Sequence, residues 1–153
     1  DRVRQGLLGS EGHGDTALVD ALYGGLMMAE SNVGRALMIV FSDGVDTASF
    51  LTPDAVLDIA KRSDVVVYAA VAGAPSKIPL LHELTELTGG TFHDAGTTAN
   101  LSAVFEKILA EFRQRYLVGY SPRGVPREGW HRLEVRVKGK RLQVKARPGY
   151  FGN

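Results

Sequence analysis

Two polar corners carry the oxygen atoms with which this chain could do chemistry. One is Gly14-Asp15-Thr16, just ahead of a helical apolar pattern; the other is Ser42-Asp43-Gly44-Val45-Asp46, directly after the apolar run Leu37 to Phe41. Hydroxyl and carboxylate oxygens suit a hard divalent cation, a helix or turn cap, or a partner's donors. No nucleophile and base accompany them: Gly9-Ser10-Glu11-Gly12 is not a nucleophile elbow, and His13, His82, His93 and His131 lack the i,i+4 pair of a helical zinc site. The corners therefore point to binding rather than catalysis. Taken alone, Asp43 reads more simply as a helix- or turn-capping aspartate at a strand end.

The elements that must hold these corners follow from periodicity. Leu18, Ala21, Leu22 and Leu26 recur at three- and four-residue spacing and predict a helix over about 16 to 31, with Asp15 or Thr16 as its cap and Asp20 facing solvent. The unbroken run of residues 36 to 42 predicts a strand buried on both faces, as in a parallel sheet between helices. In such sheets ligands bind beyond the carboxyl ends of the strands, where Ser42, Asp43 and Asp46 fall. Thr52-Pro53-Asp54 opens a second helix to about Arg62, and residues 65 to 73, VVVYAAVAG, predict a second buried strand. Leu80 to Leu87 form a short helix stopped by Gly89-Gly90, and Thr91 to His93 a short third strand.

Asn100 is the expected cap of the clearest helix, in which Leu101, Val104, Phe105, Ile108, Leu109 and Phe112 make one apolar stripe. Three β segments are expected after it, at 116 to 120, 131 to 137 and 141 to 147. The last two alternate apolar and polar residues around Lys138-Gly139-Lys140 and predict a hairpin with one wet face. The fold class is thus α/β: a Rossmann-like, doubly wound, mostly parallel sheet in residues 1 to 115, with an antiparallel β appendage in residues 116 to 153 packed on the same domain.

Composition sets the outer bounds. The chain has 153 residues, 44% of them hydrophobic, which is enough for one buried core, and no cysteine, which excludes disulfides, thiolate metal sites and a catalytic thiol. No apolar stretch approaches the roughly 20 residues of a membrane span, and DRVRQG does not read as a signal peptide. The net charge of +1 hides an asymmetry, because residues 113 to 153 hold 11 of the 18 basic groups and 2 of the 17 acidic ones. That cluster reads as the solvated face of amphipathic strands; nucleic-acid binding by the basic hairpin, with Tyr116, Tyr120, Trp130 and Tyr150 as stacking groups, is the alternative. A further alternative is a nucleotide-binding α/β enzyme using the Gly12-x-Gly14 loop. It would need a strand directly before the glycines and an acid about 20 residues on, and neither condition is met well.

The residues also carry a resemblance. Gly14-Asp15-Thr16-Ala17-Leu18-Val19-Asp20-Ala21-Leu22 and Leu37-Met38-Ile39-Val40-Phe41-Ser42-Asp43-Gly44-Val45-Asp46 resemble the second and third segments of the metal-ion-dependent adhesion site of von Willebrand factor type A (VWA) domains. Gln114-Arg115-Tyr116-Leu117-Val118-Gly119-Tyr120-Ser121-Pro122, Gly129-Trp130-His131 and Arg147-Pro148-Gly149-Tyr150-Phe151 resemble a bacterial VWFA-related subfamily. The resemblance implies a Rossmann-like domain that is not an enzyme. It would bind Mg²⁺, or Mn²⁺ or Ca²⁺, through the Thr16 hydroxyl and the Asp43 carboxylate, and through the ion an acidic side chain of a protein partner. Gly14, Asp15, Ser42, Gly44 and Asp46 would form the partner-binding rim.

The first segment of that site, Asp-x-Ser-x-Ser, has no match; Asp46-Thr47-Ala48-Ser49 comes nearest and has Ala48 where a serine is required. Without the strand that would carry it, residues 36 to 42 become a hydrophobic edge. The expectation is then either a C-terminal portion of a larger protein or self-pairing at that edge. The resemblance further implies an exported or cell-envelope location.

Overall fold

The computed structural model describes residues 14–29, 36–43, 45–73, 78–139, 142 and 144–152. Its elements are α1 (Leu18–Met28), β1 (Leu37–Ser42), α2 (Pro53–Arg62), β2 (Val66–Ala72), α3 (Pro79–Thr88), β3 (Phe92–Gly96), a 3-10 turn (Thr98–Asn100), α4 (Leu101–Arg113), β4 (Gly129–Arg132) and β5 (Gly149–Gly152). β1, β2 and β3 form a parallel sheet in that order, while β4 and β5 pair antiparallel in a separate sheet. The molecule is a small α/β fold.

β2 explains why its sequence is apolar without interruption. Val65, Val67, Ala69 and Val71 face a core made with Leu18, Leu22 and Leu26 of α1, Val56, Leu57 and Ala60 of α2, and Leu81 and Leu84 of α3. Val66, Tyr68 and Ala70 face the other way, onto Leu101, Val104, Ile108 and Phe112 of α4. A strand with helices on both sides has no wet face, so period-2 alternation vanishes. β1 shares both layers through Val40 and Ile39 but pairs only with β2 among the described residues, and only Val40 is buried. Among the described residues it is therefore an edge strand, without the two-sided burial that its apolar run predicts but as expected where no strand lies beside it.

Helix ends follow local chemistry in two cases and depart from it in two. Pro53 at the first position starts α2 after Thr52, and Gly89 in the left-handed region (φ 75°) ends α3, where the Gly90 amide reaches back to the Thr85 carbonyl at 2.8 Å. Gly90 has a second constraint: a Cβ there would overlap the Val67 carbonyl of β2. By contrast α1 begins at Leu18, and neither Asp15 nor Thr16 caps it. Asn100 precedes α4 without capping it; its side chain donates to the Ala95 carbonyl at 2.8 Å.

The C-terminal part departs most from expectation. Residues 116–120 form no strand, and none is found among residues 133–139, 142 and 144–148; residues 140, 141 and 143 of the expected hairpin lie outside the described set. The antiparallel pair is instead β4 with β5, matching Trp130 to Phe151 and His131 to Tyr150. Two aromatic rings in tilted contact, His131 and Tyr150 at 5.0 Å, and close approach at Gly149, where a Cβ would overlap the Trp130 ring, favour this register. The apolar face expected of the hairpin stays uncovered, with Val135 50% and Leu142 58% exposed. A two-stranded hairpin with nothing to cover its apolar face is marginal in water.

What ties this region to the sheet is charge and aromatic contact. Arg147 donates to Asp64 at 3.0 Å and to the Lys61 carbonyl at 3.1 Å, and the Arg62 guanidinium lies 3.9 Å over the Phe151 ring. Lys145 donates to the Thr91 hydroxyl at 2.9 Å. All these contacts fall where β2 and β3 begin, at the opposite end of the sheet from Asp43.

A candidate binding rim at the strand ends

β1 delivers the chain to Asp43 at the carboxyl end of the sheet, and Gly73 lets β2 leave close by: a Cβ there would sit 3.3 Å from the Asp43 carbonyl oxygen. After Gly44, which lies outside the described residues, the chain runs through Val45 to Leu51 and binds the start of α1. The Thr47 hydroxyl accepts from the Thr16 amide at 2.8 Å, and the amides of Thr47 and Ala48 donate to the Thr16 carbonyl at 2.8 and 3.1 Å. The two corners seen in the sequence are thereby joined at one end of the sheet.

The cap of α1 comes from this loop. One oxygen of Asp46 accepts from the Leu18 amide at 2.7 Å, from the Val19 amide at 3.4 Å and from the Ser49 hydroxyl at 2.6 Å. A carboxylate at a helix N-terminus satisfies orphan amides and the helix dipole together. The Ser49 hydroxyl, aided by these amides, holds the Asp46 carboxyl below its ordinary value. Ser49 in turn accepts from the Asp20 amide at 3.1 Å, and the Asp20 carboxylate accepts from the amides of Phe50 at 3.0 Å and Leu51 at 2.9 Å. Asp20, which the sequence predicts to face solvent, is thus the second clamp of the loop.

Two groups are left over. Among the described residues, neither the Thr16 hydroxyl nor the Asp43 carboxylate is engaged in a hydrogen bond or ion pair, and both residues are exposed. Asp15 is exposed beside them, Gly14 takes φ 91° with open space around it, and Ser42 pairs with Val71 in the sheet. Of the expected rim residues, Asp46 is committed to the helix cap and Gly44 lies outside the described set. Among the described residues no group of three or more His, Cys, Asp or Glu is arranged to hold a metal ion. No helix among them is long and apolar enough to cross a membrane.

No family model matches the chain. No curated protein and no solved structure matches it either.

A second polar cluster escaped the sequence reading. The Tyr68 hydroxyl accepts from Arg115 at 2.9 Å and donates to Glu111 at 3.3 Å, the Thr91 hydroxyl donates to the same Glu111 oxygen at 2.9 Å, and Arg115 also binds the Gly89 carbonyl at 2.6 Å. Burial raises the Tyr68 pKa, against the pull of Arg115. His93 stacks parallel to Tyr68 with its Nε2 buried and without a hydrogen-bond partner among the described residues. Only the i,i+4 pair Glu111 and Arg115 is visible in the sequence; the rest is brought together by the sheet. The network fastens the end of α4 to β2 and β3.

Proposed function

We propose that this chain is a non-enzymatic protein-binding module of the VWA kind, with a Rossmann-like arrangement, that recognises a partner through the loops at its strand carboxyl ends. The observation that carries this reading is a division of labour. Asp46, Asp20, Ser49 and Thr47 are consumed in fixing the loop, whereas the Thr16 hydroxyl and the Asp43 carboxylate stay exposed and uncommitted. A rigid frame around unspent oxygens is what a recognition surface requires.

The two oxygens make an incomplete cradle for a cation. Mg²⁺ commonly keeps several waters and takes one or two protein oxygens, so Thr16 and Asp43 would hold it with water in the remaining positions; weak extracellular Ca²⁺ sites, at about 0.1–1 mM, set the scale to search. The bound ion would reverse the sign of an acidic corner and let it accept a partner's carboxylate. Calorimetric titration with Mg²⁺ and Mn²⁺ tests this. Binding in that range, abolished by Asp43→Ala and weakened by Thr16→Val, is expected; no heat with either ion would remove the cation from the proposal.

A further inference from the structure

The 46–51 loop displays one side chain that its own fold does not use. Phe50 is 97% exposed, although its backbone is among the most firmly held in the loop, with its amide and that of Leu51 both on the Asp20 carboxylate. The backbone that carries the ring is already ordered, so binding costs only side-chain freedom, and burying the ring removes a large apolar area from water. Its surroundings are acidic. The described residues from 14 to 60 include Asp15, Asp20, Asp43, Asp46, Asp54 and Asp58 and no Lys or Arg.

The same molecule carries a complementary feature. A cleft of about 520 Å³ is lined by Pro122, Val125, Arg127, Tyr150 and Phe151. Its walls are mixed apolar, aromatic and polar, Arg127 is part of them, and the Arg62 guanidinium lies over the Phe151 ring. A phenyl ring could meet Tyr150 there by edge or face contact, with the Arg127 guanidinium at its border.

Phe50 cannot reach the cleft of its own molecule. It precedes α2, whereas Arg62 and the cleft follow it, and the ten residues of that helix span roughly 15 Å. We infer that Phe50 of one copy enters the Pro122–Phe151 cleft of a second copy, a head-to-tail contact between the acidic rim and the basic C-terminal region. Residues 113 to 153 hold 11 basic and 2 acidic groups, so this orientation joins opposite charges where a like-to-like pairing would repel. Because the two surfaces differ, each copy offers one knob and one cleft, and association continues beyond a dimer. This contact uses neither the Thr16 hydroxyl nor the Asp43 carboxylate, and it is tested without added divalent cation.

Sedimentation of the 153-residue chain from low micromolar to about 1 mM, at low and high salt, tests it. The weight-average mass should rise with concentration past that of a dimer, and less so at high salt. Phe50→Ser, harmless to a fold that does not touch the ring, and Arg127→Glu should each weaken association by about tenfold or more. The decisive arm mixes the two variants: one intact knob then meets one intact cleft, and the mixture should form a dimer and stop there. Three outcomes would overturn the inference: a wild-type chain that stays monomeric throughout, association untouched by Phe50→Ser, or a mixture no larger than either variant alone. Association lost instead in Ile39→Lys, with Phe50→Ser unaffected, would reassign it to the β1 edge.

Discussion

Asp46 holds the amide of Leu18 at 2.7 Å across 28 residues of sequence, so the loop after β1 caps the helix before it. Replacing Asp46 with Ala should therefore lower the melting temperature more than replacing Asp15, which is nearer to the helix in sequence but caps nothing. The pH dependence has a definite sign. The Asp46 carboxyl lies below its ordinary value of 3.8 in the folded chain, so its contribution is present at neutral pH and fades as the pH falls from about 4 through the folded value. Thermal melts from pH 6 to pH 3 should show a steeper loss for the native chain than for Asp46→Ala.

Asp20 holds the other half of the loop. Hydrogen bonds to an ionised acceptor contribute about 1.5–3 kcal/mol, and Asp20→Ala removes two of them from the Phe50 and Leu51 amides. A loss of roughly 2 kcal/mol in urea unfolding is expected, together with faster hydrogen exchange confined to residues 46–51. Asp20→Asn should keep part of both.

Gly90 is the position where one methyl group should do the most harm. A Cβ would overlap the Val67 carbonyl, and Val67 belongs to a strand paired on both sides, so the backbone cannot yield cheaply. Gly90→Ala should cost about 3 kcal/mol or more, in line with overpacking beside an immobile neighbour. Equilibrium unfolding measures it, and Gly24→Ala, where a Cβ meets open space, is the control.

His93 should make the fold acid-sensitive in a second, higher window. Burial depresses its pKa below 6.5, Lys107 and Lys145 push the same way, and Glu111 opposes them. A proton therefore binds the unfolded chain more tightly, and stability should fall as the pH drops through about 6.5 toward 5. His93→Gln should flatten the stability profile in that window while leaving the loss below pH 4 unchanged.

The legible parts of this fold are those whose partners follow from their own pattern. β2 is apolar at every position and must be covered twice; the α4 stripe from Leu101 to Phe112 has one dry side and finds the sheet. Pro53 and Gly89 mark helix ends by backbone chemistry alone. The segment from Leu133 to Ala146 is the illegible part. Alternation says which side of a strand would be dry, not whether a surface exists to cover it, and the pairing was decided by glycines and rings at Trp130, Gly149 and Phe151. The rim was half legible. Asp43 was expected at a strand end and is found there, but capping was sought within one turn of Leu18, and the group that supplies it lies beyond the next strand. Asp46-Thr47-x-Ser49, three side chains that readily bind backbone amides, was the available clue.

The contacts of Arg147 with Asp64 and the Lys61 carbonyl bear on how the molecule is made. During synthesis the sheet, its helices and the rim all emerge from the ribosome before the residue that bolts the start of β2. A nascent chain can bury its valines before the region around residue 147 leaves the tunnel, so the Asp64 contact forms only after the strands that it ties have been made.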